Sequence, residues 1–62
     1  MSKFIELHDI ELGNKPILIN VDCIIAVEED SYDVVSIYCG RQTFEVEESY
    51  EDVVKKIREC KP

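Results

Sequence analysis

Apolar and polar residues alternate with a period of two along most of this chain, and then the period lengthens. Lys3 to His8 reads polar, apolar, apolar, polar, apolar, polar. Pro16 to Asn20, Cys23 to Glu28, Asp33 to Tyr38 and Gln42 to Glu47 are short runs of the same kind, rich in β-branched residues. Alternation places successive side chains on opposite faces of a strand, whereas a spacing of three and four places them on one stripe of a helix. The pattern predicts strands over about residues 3–8, 16–20, 23–28, 33–38 and 42–47, and a helix over about 49–60. The breaks between runs carry turn chemistry. Gly13-Asn14 is a turn signal, and Asn20-Val21-Asp22 is a corner where short Asx side chains bond nearby backbone. Glu29 to Tyr32 is a polar turn, and Gly40 can supply the positive φ of a tight reversal in Cys39-Gly40-Arg41. Pro16 suits the first residue of a strand, where its missing N–H faces an edge.

The last segment starts like a helix. Ser49 is a good N-cap, and Asp52 three residues later completes a capping-box-like start. Glu51 and Asp52 fall in the first turn, with Lys55, Lys56 and Arg58 further on, as the helix dipole favours. Tyr50, Val53, Val54, Ile57 and Cys60 form one apolar stripe. A helix with a single stripe is a lid over a core. The expected fold is α+β: an antiparallel meander of about five strands, open or strongly coiled and barrel-like, with one C-terminal helix.

The alternation also sorts the sheet's two faces. Ile5, Leu7, Ile17, Ile19, Ile25, Val27, Val35, Ile37, Phe44 and Val46 share the face expected under the helix. Phe4, Leu18, Ile24, Val34 and Tyr38 share the other, among Glu6, Ala26, Ser36, Thr43 and Glu45. One helix cannot cover both faces, and contiguous exposed apolar surface marks an interface. Phe4, Leu18, Ile24, Val34 and Tyr38 are therefore the candidate interface, for a second copy of the chain or another protein. In a nearly closed barrel some of these residues would instead meet each other.

Length and charge narrow the function. Sixty-two residues, 45% of them apolar, make one small domain over 1–62. A chain of this size buries only about 60% of its unfolded surface, so association would help to stabilise it. No apolar run approaches the ~20 residues of a spanning helix, and the N-terminus lacks the apolar stretch of a signal peptide. No membrane insertion is expected, and the location expected is cytoplasmic. The net charge of −7 disfavours nucleic acid as a partner. The bases Lys55, Lys56, Arg58 and Lys61 are interleaved with Glu51, Asp52 and Glu59, and read as complements to the helix dipole. A regulatory nucleic-acid binder using that end of the helix is the alternative.

Chemistry is sparse. The only histidine, His8, has no local triad partner. Cys23, Cys39 and Cys60 are odd in number, far apart, and lack the close ligand pair of a zinc site, so they read as buried reduced thiols. The acidic groups Glu28-Glu29-Asp30 and Glu47-Glu48 fall in turns and read as solvated. Gly13 and Gly40 are too far apart for a phosphate cradle, and Asp30 to Asp33 lacks the ligand rhythm of a calcium loop. No catalytic residue, cofactor or metal is expected; the chain reads as a non-enzyme.

Three stretches carry a family resemblance: "ILINVDCIIAVEE" (17–29), "DVVSIYCGRQTFEVEES" (33–49) and "YEDVVKKI" (50–57). A strand ending in Ile-Asn, an acidic corner, a strand ending in Val-Glu, a hairpin around glycine, then V-x-E-S and a Glu-Asp-Val-Val helix resemble the small FlbD-like proteins. Asn20, Asp22, Gly40, Glu47 and Ser49 match best. The chain departs from the pattern in its longer, acidic connection over 9–15, and in Cys39-Gly40-Arg41 where Asn-Gly is usual. That family is associated with bacterial flagellar and swarming motility, and similar short chains occur as uncharacterised proteins of bacteria and their phages. The resemblance implies a small accessory protein acting through contacts, either in motility or as a phage- or mobile-element-borne protein.

Overall fold

β1 (Phe4–Asp9) holds the molecule together because both of its edges are used. In the computed structural model, which describes residues 3–60, it is followed by β2 (Lys15–Asn20), β3 (Ile24–Glu29), β4 (Val35–Cys39), β5 (Gln42–Val46) and α1 (Tyr50–Cys60). The five strands form one antiparallel sheet in the order β2-β1-β5-β4-β3. β3, β4 and β5 are a meander, and β1 and β2 are a hairpin. The expected α+β fold is therefore present, and the sheet is not closed into a barrel. β2 and β3, consecutive in the chain, end on opposite edges.

The turns follow their local chemistry. The β1–β2 loop holds a 3-10 turn over Ile10–Leu12, started by Asp9, whose side chain accepts the Glu11 N–H at 2.9 Å. Gly13 and Asn14 then both take left-handed φ, at 74° and 62°. They are residues that tolerate this conformation. A second 3-10 turn, Val21–Cys23, forms the corner after β2, where the Asn20 Oδ1 accepts the Asp22 N–H. The Gly40-Arg41 loop reverses β4 into β5 with positive φ only at Gly40, the pattern of a II′ turn. Ser49 caps α1, its Oγ accepting the Asp52 N–H at 3.1 Å.

The core is Ile5, Leu7, Ile19, Val21, Val35, Ile37 and Val46 from the sheet and its corner, with Val53 from the helix. Ile17, Val27, Phe44, Ile57 and Cys60 pack around it. Two expectations need correction, and they share a cause. Ile25 was expected in the core and is 72% exposed, while Ile24, expected on the open face, packs against the core. The β3–β4 register shifts between Ile24 and Ala26: Ile24 pairs with Cys39, and Ala26 with Tyr38. The extra residue is a β-bulge, which breaks the alternation locally and exchanges the two isoleucines. Val21 joins the core because the 3-10 corner turns it inward. Asp9, at 5% exposure, is a buried polar residue, held by its turn.

Candidate functional site

The five residues expected at an interface do not end on one continuous face. Phe4 and Leu18 remain together on the outer side of the β1–β2 hairpin, where Glu6 faces Leu18 and Phe4 faces Asn20 in the ladder. They are 49% and 67% exposed. Tyr38 lies on the other half of the sheet, and its hydroxyl donates to Glu28 Oε1 at 2.8 Å. That bond, which favours the protonated phenol, raises its pKa. Val34 precedes β4 and closes the β3–β4 turn: its carbonyl accepts the Asp30 N–H, and its own N–H donates to Asp30 Oδ1. Ile24 is turned inward by the bulge. Beside Phe4 and Leu18, a shallow groove of about 220 Å³ runs between the two halves, lined also by Phe44, Gln42, Cys23 and Cys39.

A second constellation lies where β1 meets β5, and sequence reading missed it. The two strands share only the pair Asp9–Val46, extended by the Glu47 N–H donating to the His8 carbonyl at 2.9 Å. β5 ends at Val46, and past Glu47 side chains take over. One oxygen of Glu48 accepts the His8 N–H at 2.9 Å, and the other meets the His8 Nδ1 at 2.6 Å. Further along the same edge, the Lys56 Nζ donates to the Glu6 carbonyl at 3.1 Å and the Cys60 Sγ to the Phe4 carbonyl at 3.6 Å. The outward carbonyls of β1 are thus met in turn by the Cys60 thiol at Phe4, the Lys56 ammonium at Glu6 and the Glu47 backbone N–H at His8.

The electrostatics follow from this geometry. The hydrogen bond to the Glu48 carboxylate raises the His8 pKa above its usual value; burial opposes it, and the charges of Glu48, Glu47 and Glu6 add to the rise. Burial pushes the Glu48 carboxyl up, but the hydrogen bonds from the His8 ring and backbone outweigh it and hold the carboxyl below its usual range. Glu48 was expected to be a solvated turn carboxylate; its side chain is only 13% exposed. The V-x-E-S junction directs it back across the seam. The signal that could have found it was a lone histidine at the end of one strand and a glutamate just past the end of another. No local spacing joins two residues forty apart.

A larger hollow, about 650 Å³, is lined by α1 alone, including Tyr50, Val54, Lys55 and Arg58, so no second element brings a group to it. Among the described residues, no three of His, Cys, Asp and Glu are placed to hold a metal ion. Of the basic cluster, Lys55 and Arg58 are exposed, Lys56 is engaged on β1, and Lys61 lies outside the described residues. The three cysteines are free, but the expectation of burial fails for Cys23, which is exposed; Cys39 and Cys60 are half-buried. No described helix is long and apolar enough to cross a membrane. No family model matches the chain, and no curated protein or solved structure matches it.

Proposed function

We propose that this chain is a non-enzymatic interaction module that self-associates through the outer face of the β1–β2 hairpin. The observation that carries the reading is the exposed pair Phe4 and Leu18 on a hairpin whose outer strand, β2, is a sheet edge. An edge strand offers unpaired backbone groups, and a large apolar pair beside it supplies the burial that holds a partner. A second copy presents the same edge and the same pair, so a two-fold contact is self-complementary. Tyr38 and Val34, expected as further anchors, serve internal bonds, so the contact centres on Phe4 and Leu18. The FlbD-like resemblance supports an accessory role in motility, and a phage-borne protein of the same architecture is the alternative; genes beside this one discriminate them.

The test is light scattering after size exclusion, under reducing conditions, over a concentration series. The expected result is a mass that rises to a dimer, and a Leu18→Lys variant that stays folded and monomeric over the same range. A wild-type monomer at every concentration, or a variant that associates equally well, overturns the reading.

A further inference from the structure

The groove between the two halves holds two thiols that the proposed association does not use. Cys39 is the last residue of β4 and pairs in register with Ile24. Cys23 is the residue just before Ile24, the last of the 3-10 corner. Had β3 simply begun one residue earlier, alternation would send the side chains of Cys23 and Ile24 to opposite faces. The corner removes that constraint, and both cysteines line the same groove. Their exposures differ: Cys23 is open to solvent, and Cys39 is half-buried. The third thiol, Cys60, is directed elsewhere, onto the Phe4 carbonyl.

We propose that Cys23 and Cys39 are a dithiol modification site that closes to an intrachain disulfide on reaction with a low-molecular-weight disulfide such as oxidised glutathione. Cys23, the exposed thiol, attacks first as its thiolate. A sulfur–sulfur bond forms between Cys23 and one glutathione, the glutathione disulfide bond breaks, and the other glutathione leaves as thiolate. Cys39 then loses its proton and attacks the Cys23 sulfur, expelling the second glutathione. Two protein thiols are oxidised, one glutathione disulfide is reduced, and the two thiol protons end on the two glutathione products. Burial, and next the neighbouring Cys23 thiol, push the Cys39 pKa up. Cys39 is thereby the slower, resolving partner. The part of that shift that comes from Cys23 is relieved once Cys23 is in the mixed disulfide and carries no charge. The closed bond would tie the corner between β2 and β3 to the end of β4.

The experiment treats the reduced full chain with oxidised glutathione under native conditions, followed by intact mass and peptide mapping. The expected product is a monomer lighter by two hydrogens, with Cys23 joined to Cys39 and Cys60 free. The same treatment in denaturant should yield mixed pairings. A Cys39→Ser variant should stop at a single glutathione adduct on Cys23. The wild-type map decides the proposal even if that variant does not fold. A stable glutathione adduct in the wild type, a bond to Cys60, a disulfide between two chains, or no reaction overturns it.

Discussion

The two edges of β1 are built by different means. Toward β2, the backbone forms a continuous ladder of six paired positions, from Phe4–Asn20 to Asp9–Lys15. Toward β5, there is one paired position and one further backbone bond, from the Glu47 N–H to the His8 carbonyl, while the His8 N–H and the Glu6 and Phe4 carbonyls are met by the side chains of Glu48, Lys56 and Cys60. A ladder depends on backbone and tolerates many sequences. A seam of side chains depends on particular residues and on their protonation. The first edge should therefore respond to mutation mainly through the core beneath it, and the second through single polar groups. This teaches where the fold is open to regulation by sequence and pH: at the β1–β5 seam.

The largest effect is expected where both edges fail together. Leu7 is fully buried beneath β1, so Leu7→Ala removes packing that both halves share. The expected loss is about 2–5 kcal/mol, read by urea denaturation. Since small domains are only marginally stable, this variant should be largely unfolded. A loss under 1 kcal/mol would mean that the halves do not rely on one core.

Breaking the side-chain seam alone should cost less and leave a different trace. Glu48→Ala removes both bonds to His8, and the expected cost is about 1–2 kcal/mol. Hydrogen exchange should show the His8 amide losing protection while the Ile5 and Leu7 amides, which face β2, keep theirs. Equal losses on both edges would mean that the two edges of β1 are not held independently. The pair also predicts a pH profile. His8 has a raised pKa when folded, so its contribution is complete below its unfolded pKa and is lost as pH rises through the folded one. Glu48 has a lowered pKa, so its contribution is complete above its unfolded pKa and is lost as pH falls through the folded one. Both are present together between about pH 4.3 and 6.5. Stability measured across pH should show a maximum there that Glu48→Ala flattens.

The smallest effect belongs to Lys56, whose bond to the Glu6 carbonyl is exposed. Lys56→Met keeps the apolar stem and should cost about 0.5 kcal/mol or less. A larger loss would make the ammonium as important to the seam as Glu48.

The reach of sequence reading varies along the chain for physical reasons. Ser49 and Asp52 were legible as a cap because capping acts over three residues, and the structure has that bond. Gly40 and Asn20 were legible because turn chemistry is equally local. Ile24 and Ile25 were misplaced because a bulge depends on how β3 pairs with β4, and nothing in the run Ile24-Ile25-Ala26 shows where the extra residue lies. Phe4 and Leu18 were legible as outward apolar residues because alternation in β1 and β2 is unbroken. Parity alone groups Val34 and Tyr38 with them, and parity is silent about which strands are neighbours.

By itself, then, the sequence determined the elements, the facing of most side chains, the caps and the turns, all of which act within a few residues. The tertiary structure alone decided that β5 lies beside β1 while β2 and β3 become edges. It also decided that Glu48 reaches His8, and that Cys23 and Cys39 share a groove. These outcomes depend on loop closure between residues far apart in the chain. Their free energy comes from one shared core beneath β1, not from any local signal along it.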